Sequence, residues 1–163
     1  MADVHAPEVR SHNMSAIGSK NTKPELTIRS ALHARGFRYR LHVRSLPGSP
    51  DLVFRAYNAV LFVHGCFWHG HDCPAFRMPG TRTGFWSEKI AANADRDSRA
   101  ESALLETGWR VAVVWECALR GNGRRETGQI ASRLERWLKG NTRRLVVRGL
   151  TAGTESGRPG RLL

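Results

Sequence analysis

Three histidines and two cysteines fall within ten residues, His64-Gly65-Cys66-Phe67-Trp68-His69-Gly70-His71-Asp72-Cys73. Gly65 and Gly70 let this backbone bend so that neighbouring side chains can converge. Cys66 and Cys73 leave only Cys117 as a further cysteine. With one histidine the three make a Cys₃His set, the closed tetrahedral donor group of structural zinc. Thiolates also favour zinc over magnesium. The spacing leaves both His69 and His71 open as the fourth ligand.

A second chemistry starts at Pro50-Asp51, just after the turn-rich Leu46-Pro47-Gly48-Ser49 stretch. An aspartate entering one strand, opposite the end of the next strand near Val63-His64, suits a hard cation such as magnesium. Such an ion polarises a phosphate and activates water. His64 and His69 are then candidates for proton transfer or for holding the phosphate. Glu25 completes a capping box with Thr22, and a helix N-terminus also welcomes phosphate.

Phe67-Trp68 and Phe85-Trp86 flank these groups. Aromatic side chains in such positions usually fill a core. Beside a basic, metal-bearing loop they also fit a wedge that unstacks base pairs, a step that costs least at a mispair.

The elements that must position these residues follow from periodicity. A helix is expected from the Thr22 cap to about Arg35, burying Ile28 and Leu32. Alternation over Phe37 to Arg44 predicts a strand with one apolar and one basic face, His42 on the latter. Leu52–Phe54 and Ala59–Val63 read as a hairpin whose second strand is central. A loop covers residues 74–86, and a helix runs from Ser87 to about Thr107 with Ile90, Ala94, Leu104 and Leu105 inward. Trp109–Trp115 is a strand, and strand–helix–strand implies a parallel crossover. A last amphipathic helix spans Ile130–Leu138. The expected class is α/β, a mixed central sheet flanked by helices. Residues 1–21 read as a flexible arm, 22–140 as the catalytic domain, and 141–163 as a basic, loosely attached tail.

The 163 residues carry 26 Lys+Arg against 14 Asp+Glu, a net charge of +12 weighted toward both ends, which predicts a polyanionic partner. No apolar run reaches membrane-spanning length, and an odd cysteine count suits a reducing compartment, so a cytoplasmic protein is expected.

Taken together the motifs resemble one family. Met1-Ala2-Asp3-Val4-His5, Arg10-Ser11, Asn13-Met14, Leu46-Pro47-Gly48 with Pro50-Asp51, and the His64–Cys73 block match the very-short-patch repair (Vsr) endonucleases. So do Thr81-Arg82-Thr83 with Phe85-Trp86, and Gly108-Trp109-Arg110-Val111 through Val114-Trp115-Glu116-Cys117-Ala118-Leu119. The resemblance covers roughly residues 1–140. It implies a restriction-endonuclease-like fold and a magnesium-dependent nick 5′ of the T in a T:G mismatch, the product of 5-methylcytosine deamination. It further implies Asp51 as magnesium ligand with the Val63 carbonyl, His69 in acid/base catalysis, and His64 near the phosphate. Glu25 would act through water on the metal. Zinc would fall to Cys66, His71, Cys73 and Cys117, and Phe67, Trp68 and Trp86 would form the wedge. The arm would clasp mismatched double-stranded DNA, with other mismatch-repair proteins as further partners of a monomer. One departure stands out: the wider nuclease superfamily places an acid and a lysine two apart on the second strand. Phe62-Val63-His64 leaves that lysine's role to histidine. The alternatives are a zinc-stabilised DNA-binding module without catalysis, or a same-fold nuclease with another target.

Overall fold

A computed structural model of the chain describes residues 20–151. The N-terminal arm, apart from Lys20 and Asn21, and the last dozen positions lie outside the described residues. Among the described residues five strands form one mixed sheet in the order β1-β2-β3-β4-β5. These are β1 (Arg40–Leu41), β2 (Leu52–Phe54), β3 (Ala59–His64), β4 (Arg110–Trp115) and β5 (Arg144–Val147). β1, β2 and β3 pair antiparallel, and β3, β4 and β5 pair parallel. The helices are α1 (Lys23–Ala34), α2 (Thr83–Glu106) and α3 (Thr127–Lys139).

Strand alternation divides the core into two layers. Leu52, Phe54, Leu61, Ala112 and Val114 pack with Ile28 and Leu32 of α1 and with Ile130, Leu134 and Leu138 of α3. Val53, Val60, Phe62, Val111 and Val113 face the other way and pack with Leu104 of α2. β3 and β4 are covered on both faces, which is why both read as continuous apolar runs. The crossover between them is the 24-residue α2.

Four expectations change. The strand expected over 37–44 is only two residues long, because His42 adopts φ 48° and turns its side chain inward. α2 begins at Thr83, so Phe85 and Trp86 sit in its first turn rather than in a loop. Ala94, expected on the inner face of that helix, is exposed. Residues 141–163 are not simply a tail: Arg144–Val147 supply the fifth strand, and Val147 is fully buried. No helix among the described residues is long and apolar enough to cross a membrane.

Candidate active site and metal centre

Glu25 enters the site through the start of α1. The Thr22 hydroxyl caps the helix by accepting the Glu25 N–H, at 3.4 Å, as a capping box requires. The reciprocal bond goes one residue further back, from the Asn21 N–H to Glu25 Oε2 at 3.0 Å. That leaves Glu25 Oε1 buried and facing His42 Nε2 at 2.9 Å, without the alignment of a hydrogen bond on either atom.

His42 reaches this position through its left-handed backbone, a conformation that carries strain for a residue with a Cβ. Its Nδ1 lies 3.7 Å from Asp51 Oδ1. The other carboxylate oxygen of Asp51 accepts the Val63 N–H at 2.7 Å. In a strand the N–H and C=O of one residue leave on the same edge, so the Val63 carbonyl faces the Asp51 side as well. Glu25, His42 and Asp51 present ligand atoms within 4.8 Å of one another. Burial, with Glu25 nearby, pushes the Asp51 carboxyl up to about 7 despite the Val63 bond. The Glu25 and Asp51 carboxylates and the His42 ring, with Glu25 Oε1 and His42 Nε2 buried and without hydrogen bonds, form a donor set that fits a divalent cation.

Adjacent to this group, β3 ends at His64 and the loop returns His69 onto it. The two rings stack at 3.9 Å and 7°. His69 Nδ1 is hydrogen-bonded to the Asp97 carboxylate of α2. His64 is almost fully buried, and burial together with His69 lowers its pKa to about 3, so its ring is neutral at physiological pH. Asn93, one helical turn before Asp97, donates to the Trp68 carbonyl at 2.9 Å and fixes the loop. Val63, His64, His69 and Asp97 line a cleft of about 1070 Å³, rimmed by Lys20, Lys23, Lys89, Arg96 and Arg120.

The third cluster is Cys66, His71, Cys73 and Cys117, again within 4.8 Å. The parallel register sets His64 beside Trp115, and Cys117 follows two residues on. None of the cysteines is in a disulfide. Cys66 Sγ accepts the Cys117 N–H at 3.3 Å, and Cys117 Sγ accepts the Gly149 N–H at 3.2 Å. Burial raises the Cys66 and Cys117 thiols, and burial lowers His71, which stacks on Trp115 at 4.0 Å. Three sulfurs and a neutral imidazole are donors for a thiophilic divalent metal. Of the two histidines left open by the spacing, His71 is in this group and His69 is not. Gly70, at φ 62°, permits the separation, and a Cβ there would meet Ile90 Cγ2 at 2.7 Å.

The aromatics form one patch. Phe67 contacts Trp68 at 5.1 Å and Trp86 at 5.5 Å, and Trp68 contacts Trp86 at 5.9 Å. All three are half-buried, Phe85 beside them is exposed, and Lys89 Nζ lies 5.6 Å above Trp68.

Three residues of the site, His42, Asp97 and Asn93, were not among the candidates drawn from the sequence. Asp97 and Asn93 had a signal, because they interrupt the inward stripe of α2 between Ile90 and Leu104. His42 had none, since alternation sent it outward.

A family model described as DNA mismatch endonuclease Vsr matches residues 2–75. The chain is 54% identical over 123 residues to the type II nicking enzyme V.XorIIP of Xanthomonas oryzae pv. oryzae, covering 76% of this chain and 90% of that one. It is 49% identical over 140 residues to the DNA mismatch endonuclease Vsr of Escherichia coli, covering 86% and 90%. It is 45% identical over 120 residues to the type II nicking enzyme V.NmeAIP of Neisseria meningitidis, covering 74% and 86%. Matches of this extent place the chain among the DNA endonucleases. It belongs to the family of Vsr DNA mismatch endonucleases.

Proposed function

We propose that the protein nicks one strand of double-stranded DNA on the 5′ side of the T in T:G mismatches, on a restriction-endonuclease-like scaffold. The observation that carries this reading is the adjacency of two clusters: Glu25, His42 and Asp51, whose aspartate accepts the Val63 N–H, and His64, His69 and Asp97, which line the cleft together with Val63. A DNA-binding module has no need of a buried carboxylate oxygen without a hydrogen bond, beside an Asp–His pair.

Asp51, with Glu25 and the Val63 carbonyl nearby, would hold Mg²⁺, which when bound supplies charge neutralisation at the scissile phosphate and acidifies water. His42 ties the two carboxylates together. The Asp97 carboxylate keeps the proton of His69 on Nδ1, leaving Nε2 free to take a proton from the attacking water. His64, neutral and stacked against His69, limits that ring's rotation and can donate to a phosphate oxygen. Cys66, His71, Cys73 and Cys117 would hold Zn²⁺ as a brace that fixes the loop carrying His69. Phe67, Trp68 and Trp86 form the wedge at the lesion. Residues 1–21 clasp the duplex, and the protein acts as a monomer alongside other mismatch-repair proteins.

The test is to label each strand of a T:G duplex separately and map the cut on a denaturing gel. The reading expects a single break, 5′ of the T and in the T strand alone. Breaks in both strands, or at positions unrelated to the mismatch, would overturn it.

A further inference from the structure

One strongly charged concavity plays no part in the site above. On the surface formed by α1 and α3, a groove of about 680 Å³ is lined by Arg35, Arg125, Arg133 and Arg136, with Glu126 the single acid among its lining residues. Arg35 is already engaged, by Glu135 at 2.8 Å, the Ser132 hydroxyl at 3.1 Å and the Gly128 carbonyl at 3.1 Å. The others differ. Arg125 donates through Nε to the Arg148 carbonyl at 2.6 Å. Among the ion pairs of the described residues, none involves Arg125, Arg133 or Arg136. Arg133 and Arg136 lie three apart on α3, the spacing at which like charges on a helix repel. Arg133 is half-buried, and its burial and the charges of Arg125 and Arg136 all work against its own charge. A solvated arginine face spreads such charges outward; here they converge in a hollow.

Convergent guanidiniums match the geometry of phosphate oxygens. The groove is also close to the cleft along the chain. Arg120 lines the cleft, Arg125 lines the groove, and exposed Arg124 lies between them. Five residues of chain keep the Cα atoms of Arg120 and Arg125 within about 18 Å. We propose that this groove is a second phosphate-binding site, which holds the backbone of the duplex flanking the lesion, beyond the stretch that the cleft covers. The proposal rests on the DNA-nicking reading and extends it to a surface outside the cleft.

The test uses the full chain and the double variant Arg133→Gln/Arg136→Gln, with circular dichroism to check folding. Binding is measured by fluorescence anisotropy across a salt series, on T:G duplexes of about ten and about thirty base pairs. The site predicts that the variant loses about tenfold or more in affinity for the long duplex. The slope of log affinity against log salt should shrink by about two. The short duplex should bind within twofold of wild type, and nicking at saturating DNA should be unchanged. Equal loss on both duplexes, or no loss on either, would overturn the proposal. So would a poly-glutamate peptide whose binding needs Arg133 and Arg136 while the DNA length effect stays intact, since the groove would then serve an acidic protein segment. Wild-type nicking of the short duplex reports separately on the proposed function: its absence, with length-dependent binding preserved, would count against that function and leave the groove standing.

Discussion

His69 and Asp97 are 28 residues apart in the chain and hydrogen-bonded to each other, one on the loop after β3 and the other on the inward face of α2. A carboxylate on Nδ1 fixes which imidazole nitrogen carries the proton and which faces the cleft. Loop and helix must therefore both be in place before His69 is set for proton transfer.

Asp97→Asn keeps the shape of the contact but can present an amide donor where the imidazole needs an acceptor. Single-turnover nicking should slow by about a hundredfold to ten-thousandfold, the range of general-base catalysis. Affinity for mismatched DNA should stay within about twofold. A variant that nicks at the wild-type rate would remove the orienting role of Asp97.

Burial pushes Asp51 up to about 7, so protons compete with the cation there. Below about pH 7 the carboxyl is mostly protonated, and each unit of acid should weaken Mg²⁺ or Mn²⁺ binding by about tenfold. Above pH 7 the affinity should level off. Titrations of Mn²⁺ by paramagnetic resonance between pH 5.5 and 8.5 (a window of about one and a half units either side of the Asp51 value) read this directly. An affinity independent of pH below 7 would contradict it. His64, lowered to about 3, adds no step in that window.

His42→Asn tolerates the left-handed backbone but shortens the reach to Glu25. The metal concentration giving half-maximal nicking should rise about tenfold, with a smaller change in the saturated rate. The zinc content should not change. Loss of stability without any change in metal requirement would make His42 a packing residue only.

Cys117 closes the Cys₃His group from the end of β4 and accepts the Gly149 N–H that follows β5. Cys117→Ser should lower bound zinc from one equivalent to well under half, measured by plasma mass spectrometry. A loss of several kcal/mol of binding energy corresponds to a fall of about 10 °C in Tm. A wild-type protein that purifies without zinc and melts at the same temperature in strong chelator would end the brace assignment.

Much of this fold was written locally. Thr22 and Glu25 announced α1, the apolar run at 59–63 announced a central strand, and a helix between two such strands implied a parallel crossover. β5 was missed because Leu145, Val146 and Val147 are only three residues between arginines, in a glycine-rich stretch that reads as tail. Their strand character comes from pairing with β4, which is a tertiary fact. The same holds at the site. Cys66, His71, Cys73, Asp51, His64 and His69 were legible by type and spacing. His42 was not, because one positive φ reverses a side chain that alternation sends outward. Asp97 depends on α2 beginning at Thr83 and crossing the loop at the right turn, and no local pattern specifies where two elements meet.

The proposed activity is metal-dependent nicking directed by a mismatch. The most direct measurement compares two duplexes that differ at one base pair, T:G against C:G, in Mg²⁺ and in EDTA. A single-strand break is expected in the T:G duplex with Mg²⁺, far slower cutting of C:G, and no cutting of either in EDTA. Equal rates on the two duplexes, or cutting that survives EDTA, would contradict it.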